Sequence, residues 1–122
     1  MFRVLVIEDN PDMRELMRMI LEGAGYAVDL AQDGEAGLNA LRARPADLIV
    51  TDIFMPNCDG LEIIPRLRAD YPAAKVLAVS GGGQFVKGGG YLGTAREIGA
   101  HAVLAKPFDQ QDLLHAVNAL LH

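Results

Sequence analysis

Three carboxylates and one lysine stand directly after short apolar runs of this 122-residue chain. The runs are Val4–Ile7, Leu48–Thr51 and Ala102–Ala105, and the side chains that follow them are Glu8, Asp9, Asp52 and Lys106. If the runs are parallel strands of one sheet, these side chains converge at the carboxyl ends of the strands, where open α/β sheets bind ligands. Such a cluster suits one task well, which is to hold a divalent cation while one carboxylate accepts a phosphoryl group.

The loop after the first run favours a metal. It is acidic and contains no glycine, so its backbone cannot cradle a phosphate as nucleotide-binding loops do. A phosphate at this place therefore arrives with a cation, and Mg²⁺ fits because it prefers hard oxygen ligands. We expect Asp9 and Asp52 to bind Mg²⁺ directly and Glu8 to act directly or through water. The backbone carbonyl of Phe54 completes the expected ligand set.

Asp52 is the candidate nucleophile and would form an acyl phosphate. Phosphoryl transfer depends on charge neutralisation and positioning more than on proton transfer. Lys106 is expected to supply a point charge, and the hydroxyl of Ser80 is expected to donate to a phosphoryl oxygen.

Elements that could position these residues alternate along the chain. The sequence predicts an α/β protein with five parallel strands and five helices. The predicted strands are Val4–Ile7, Tyr26–Ala31, Leu48–Thr51, Lys75–Val79 and Ala102–Ala105. Their central members are continuous apolar runs, as in doubly wound sheets that helices cover on both faces. Asn10, Asp33 and Asp109 are expected to cap helices.

The first helix carries apolar residues at helical spacing, which predicts one buried stripe. The stripe comprises Met13, Leu16, Met17, Ile20 and Leu21. Arg14 and Arg18 share the opposite face, which is expected to be solvated.

The arrangement resembles a response-regulator receiver domain of bacterial two-component signalling, the CheY-like family. The matching pieces are Glu8-Asp9, Asp52, Met55-Pro56, Asp59-Gly60, Ser80, Gly99-Ala100 and Lys106-Pro107-Phe108. They run in the family's order through nearly the whole chain. The resemblance implies a flavodoxin-like fold with strand order 2-1-3-4-5, a phosphoacceptor at Asp52 and a cis Lys106–Pro107 bond.

The resemblance also implies partners. A sensor histidine kinase or a phosphotransfer protein would donate the phosphoryl group, and the phosphorylated chain would change its binding to a downstream protein. The implied output surface is formed by the fourth helix, fifth strand and fifth helix. We expect residues 1–122 to be one stand-alone receiver domain without an output domain. It would be no enzyme apart from its own phosphoryl transfer and auto-dephosphorylation.

Composition narrows the remaining classes of function. The formal net charge is -5 and the eleven Lys and Arg residues are scattered, which argues against binding to nucleic acid. The first twenty residues contain four acids, so no signal-peptide core can be drawn there. No apolar stretch is long enough for a membrane span, and the single cysteine, Cys58, suits a reducing compartment. We therefore expect a cytoplasmic protein with no membrane contact.

Three departures from the family pattern lead to further hypotheses. Glu8 stands where Asp is commoner, and Val103 replaces an aromatic that usually moves with the residue at Ser80. The stretch 81–93 holds seven of the thirteen glycines, and we expect this loop to replace the missing aromatic as the moving part. Phe54 and Gly82 flank the expected phosphoryl site without polar side chains, which predicts slow self-dephosphorylation.

Two other classes of protein stay open from the residues. A metal-dependent phosphatase with an Asp nucleophile typically has a second Asp two residues later, and Phe54 occupies that position here. A pseudo-receiver would be an unphosphorylated interaction module, and the complete set of acids, Ser80 and Lys106 counts against it.

Overall fold

A computed structural model describes residues 1–53, 60–80 and 99–122 of the chain. Several predictions concern residues outside these ranges: the carbonyl of Phe54, the positions of Cys58 and Asp59, the glycine-rich stretch 81–93 with Gly82, and the predicted fourth helix.

Five parallel strands form one sheet in the order β2-β1-β3-β4-β5, as the resemblance implied. Their bounds are β1 Arg3–Ile7, β2 Ala27–Ala31, β3 Leu48–Asp52, β4 Lys75–Ser80 and β5 Ala102–Ala105. The bounds agree with the predicted strands to within one residue. Two of the differences matter for the site, because Asp52 and Ser80 are the last residues of their strands instead of the first residues after them.

Four helices lie within the described residues: α1 Pro11–Gly23, α2 Gly34–Ala43, α3 Gly60–Asp70 and α4 Gln110–Leu121. Together with the strand order, these helices confirm the predicted fold class. Helix α4 corresponds to the predicted fifth helix. Side chains of Asn10, Asp33 and Asp109 cap α1, α2 and α4 by accepting a backbone N–H of the first turn, as predicted.

Two apolar cores lie on opposite faces of the sheet. On one face α1 and α4 pack against the strands through Met17, Leu21, Leu113 and Val117. On the other face α2 and α3 contribute their own buried side chains, which are Leu38, Leu41, Ile63, Ile64 and Leu67. Burial on both faces explains why the central strands are apolar throughout and why polar residues gather at the strand ends.

The predicted stripe of α1 is wrong at one position. Met17 and Leu21 are buried and Met13 and Ile20 are partly buried, but Leu16 is 47% exposed. The part of α1 that packs on the face of the sheet is narrower than the apolar spacing suggests, and Leu16 lies outside this contact.

Two further observations concern single features. The Lys106–Pro107 peptide bond is cis, which confirms the prediction. None of the helices in the described ranges has the length and hydrophobicity that crossing a lipid bilayer requires.

Candidate functional site

Strand register brings the predicted site residues to one edge of the sheet. Ile7 of β1 pairs with Thr51 of β3, so Glu8 and Asp52 follow on neighbouring strands. Ser80 of β4 pairs with Ala105 of β5, and Lys106 comes next. The carboxyl ends of four strands therefore present these side chains together, at the edge where doubly wound sheets bind ligands.

Glu8 is completely buried, and all four of its polar groups have partners. Its N–H donates to the carbonyl of Ala31 at 3.0 Å. Its Oε1 accepts from Lys106 Nζ at 2.6 Å and its Oε2 accepts from the N–H of Asn10 at 3.1 Å. Its carbonyl oxygen accepts from Arg14 Nη1 at 2.8 Å. Glu8 is thus held from the strand, from the loop and from α1 at once.

Asp52 is the second buried acid of the cluster, with 6% of its surface exposed. Its Oδ2 accepts from Lys106 Nζ at 3.0 Å. Asp9 is exposed, but one of its carboxylate oxygens belongs to a set with oxygens of Glu8 and Asp52 that lie within 4.8 Å of one another. Three carboxylates therefore offer hard oxygen donors around one point, which is the donor chemistry that Mg²⁺ requires.

Lys106 balances part of this negative charge. Burial lowers the pKa of Lys106, but the hydrogen bond to Glu8 and the charge of Asp52 outweigh burial and leave that pKa raised. Burial raises the pKa of Glu8 to about 7, against the opposing effect of its hydrogen bonds with Lys106 and the Asn10 N–H. The ammonium therefore stays charged at neutral pH, and its hydrogen bond to Glu8 offsets only part of the effect of burial on that carboxyl.

Ser80 contributes a buried hydroxyl group to the site. It is 1% exposed, and its Oγ has no hydrogen-bond partner within the described residues. Its carbonyl accepts from the Lys106 N–H at 2.7 Å, which ties the ends of β4 and β5 together. A buried hydroxyl normally has a partner, so this one is suited to a group that binds at the sheet edge.

Arg14 belongs to the site, although the sequence placed it on a solvated face. It lies on the first turns of α1 and is only partly exposed, and its guanidinium reaches back to the carbonyl of Glu8. Arg18, one turn later, instead forms ion pairs with Glu15 and Glu22. The position of Arg14 in the sequence was a signal for this contact. Arg14 follows the capping residue Asn10 by one helical turn and therefore lies over the end of β1.

The sequence also matches the model of a known protein family. The model of the response regulator receiver domain matches residues 4–118, which is most of the chain. The chain belongs to the response regulator receiver domain family. Receiver domains are phosphoacceptor modules of bacterial two-component signalling, and an aspartyl phosphate and Mg²⁺ are typical of them.

Curated relatives are bacterial response regulators. The receiver domain is 36% identical to the response regulator MprA of Mycolicibacterium vanbaalenii, over 98% of this chain and 50% of that protein. It is 30% identical to the response regulator ArlR of Staphylococcus epidermidis, over 99% of this chain and 53% of that protein. The chain thus spans about half the length of these relatives.

Solved structures share the fold over nearly the whole receiver domain. The chemotaxis protein CheY4 of Vibrio cholerae superposes with a TM-score of 0.88 at 26% identity, covering 98% of both chains. NtrX of Brucella abortus, crystallised with ADP, superposes with a TM-score of 0.90 at 27% identity, covering 98% of this chain and 27% of NtrX. Receiver domains of this fold bind Mg²⁺ at an acidic pocket, and Glu8, Asp9 and Asp52 form a cluster of carboxylates here that could hold a metal ion.

Proposed function

We propose that residues 1–122 act as a receiver domain in which Asp52 accepts a phosphoryl group in a Mg²⁺-dependent reaction. The donor would be a phosphohistidine on a sensor histidine kinase or a phosphotransfer protein in the cytoplasm. One observation carries the proposal: Asp52 is buried at a strand end with Lys106 Nζ at 3.0 Å and with acidic oxygens of Glu8 and Asp9 beside it. An Asp that only caps a helix would not need a neighbouring ammonium and two neighbouring carboxylates.

The chemistry follows from the groups around Asp52. A carboxylate oxygen of Asp52 attacks phosphorus, the bond from phosphorus to the donor imidazole nitrogen breaks, and the electron pair of that bond returns to the nitrogen. An acyl phosphate forms on Asp52. Lys106 stabilises the negative charge of the phosphoryl oxygens, and the hydroxyl of Ser80, which has no partner among the described residues, donates a hydrogen bond to one of them.

Mg²⁺ fits this set of donors. Glu8, Asp9 and Asp52 would hold it, together with the expected carbonyl of Phe54. When bound, the cation supplies positive charge that offsets the charge of the acids and of the incoming phosphoryl group.

The output of the switch would be altered binding to a downstream protein. We assign this contact to the surface formed by the predicted fourth helix, β5 and α4. Lys106 follows β5 directly and Asp109 caps α4, so a change at the phosphoryl site has a short covalent route to this surface.

Mass spectrometry of the intact protein tests the proposal. After incubation with Mg²⁺ and acetyl phosphate, wild type should gain the mass of one phosphoryl group, and Asp52→Asn should gain none. Asp47→Asn is the matched control, because Asp47 is an exposed acid at the other end of the same strand region. Equal labelling of Asp52→Asn and wild type would sink the assignment, as would wild type that neither acetyl phosphate nor a phosphorylated histidine kinase can label.

A further inference from the structure

The side chain of Arg14, which lies on α1, contacts the acidic site at a backbone carbonyl. Its Nη1 donates to the carbonyl oxygen of Glu8 at 2.8 Å. We propose that Arg14 is a positioning residue for the metal site: its guanidinium fixes the peptide group between Glu8 and Asp9, and thereby the direction from which Asp9 reaches the cation. This inference rests on the proposed Mg²⁺ site.

The carbonyl of Glu8 is the part of the acid pair that needs such a contact. The side chain of Glu8 is fixed by Lys106 and by the N–H of Asn10, and its own N–H is fixed by Ala31. Its carbonyl lies just beyond the last residue of β1, where the sheet ladder has ended. The guanidinium of Arg14 supplies a donor to this carbonyl.

Asp9 depends on that peptide group. Asp9 is exposed, so packing does not hold its side chain as it holds Glu8 and Asp52. The Glu8–Asp9 peptide unit is planar and rigid, so its orientation fixes the N–Cα bond of Asp9 and leaves only rotation about that bond to set the direction of the Cα–Cβ bond. Groups that orient metal ligands in this indirect way typically change metal affinity 10- to 100-fold when they are removed.

The charge of Arg14 acts in the opposite direction, because a guanidinium beside the acids repels Mg²⁺, so the expected loss of affinity in Arg14→Ala comes from positioning. Its guanidinium bonds the backbone of one acid of a three-carboxylate cluster, and it forms no ion pair within the described residues. Arg18 differs because Glu15 and Glu22 already neutralise it. The two arginines of one helix therefore offer a matched comparison with the same change of net charge.

Calorimetric titration of Mg²⁺ into unphosphorylated protein tests the role of Arg14 directly. Arg14→Ala is expected to raise the Kd for Mg²⁺ about 10-fold, and Arg14→Lys to recover part of the lost affinity. Arg18→Ala should bind Mg²⁺ as wild type does. Circular dichroism confirms that each variant is folded, and Arg14→Gln replaces Arg14→Ala if the latter does not fold.

The outcomes separate this inference from the proposed function. If wild type binds Mg²⁺ and is phosphorylated but Arg14→Ala stays within twofold of its Kd, the role of Arg14 is refuted and the proposed function stands. Equal changes of Kd in Arg14→Ala and Arg18→Ala also refute it, because they show an effect that does not depend on the contact with Glu8. A wild type that binds Mg²⁺ but is never phosphorylated overturns only the proposed function.

Discussion

Lys106 Nζ lies 2.6 Å from Oε1 of Glu8, so the ends of β5 and β1 are joined by an ion pair between residues 98 positions apart. The carboxylate is fully buried and the lysine side chain is 16% exposed. The same Nζ lies 3.0 Å from Asp52. One cation therefore stabilises two buried acids that would otherwise repel each other in a poorly solvated place.

Removal of this cation should destabilise the fold. Lys106→Met keeps most of the side-chain volume but removes the ammonium that contacts two buried acids. We expect the free energy of unfolding at pH 7 to fall by about 3 kcal/mol, measured by urea denaturation. The double variant Lys106→Met/Glu8→Gln should regain part of the loss, and Mg²⁺ should stabilise Lys106→Met more than wild type. A single variant as stable as wild type without Mg²⁺ would contradict this account of the ion pair.

Ser80 should matter for phosphorylation and not for folding. Its Oγ is buried without a partner in the described part of the chain, so Ser80→Ala gives up no hydrogen bond there. We expect its free energy of unfolding to stay within about 0.5 kcal/mol of wild type, while acetyl phosphate labels Asp52 more slowly. Ser80→Thr keeps a hydroxyl and should label faster than Ser80→Ala. A large loss of stability in Ser80→Ala would show that the hydroxyl has a structural task instead.

His101 should make stability depend on pH. Its Nδ1 accepts from the Val76 N–H at 3.0 Å, and its Nε2 lies 2.9 Å from Arg68 Nη1. Burial lowers the pKa of His101, and the charges of Arg68 and Lys75 lower it further. The unfolded chain therefore binds a proton at this position at a pH where the folded chain does not, so the contribution of His101 to stability falls as pH drops below about 6.5 and levels off below the lowered folded pKa.

Denaturation between pH 5 and 7.5 checks the role of His101. His101→Gln keeps a hydrogen-bond acceptor but cannot be protonated, so its stability relative to wild type should rise as pH drops through this range. His115→Gln is the control, because His115 is exposed on α4. If His101→Gln and His115→Gln follow the wild-type profile equally, another group causes the pH dependence.

Two helical glycines should respond oppositely to alanine. A Cβ at Gly37 of α2 would lie 2.5 Å from Cδ1 of Ile7, whereas a Cβ at Gly23 of α1 would meet nothing within 4 Å. Gly37→Ala should lower the free energy of unfolding by about 1–3 kcal/mol through overpacking. Gly23→Ala should raise it by about 0.5–1 kcal/mol, since alanine favours the helix.

A second substitution identifies the cause of the Gly37 effect. Ile7→Val removes the Cδ1 atom that the new methyl group would strike. The pair Gly37→Ala/Ile7→Val should therefore lose less stability than the two single losses added together. Simple additivity in thermal denaturation would mean that this close approach is not the source.

Local signals in the sequence predicted the elements well. Asn10, Asp33 and Asp109 cap their helices because capping depends on residues three positions apart. Strand runs and their order followed from apolar pattern and family resemblance, and they predicted which residues would share the sheet edge. Pattern failed at Leu16, because the spacing of apolar residues does not say how far a helix overlaps the sheet.

Residue types and their order along the chain determined the fold class and the acidic edge where Glu8, Asp9, Asp52 and Lys106 meet. Only the tertiary structure decided what each of these residues contacts. Glu8 accepts a hydrogen bond from the ammonium of Lys106, Asp9 is exposed, and Arg14 donates to the carbonyl of Glu8. The physical reason is that residue type does not reveal which carboxylate oxygen or which backbone carbonyl a given donor will reach. Contacts of this kind depend on distances of a few ångströms between chain segments, which only the packed sheet and helices set.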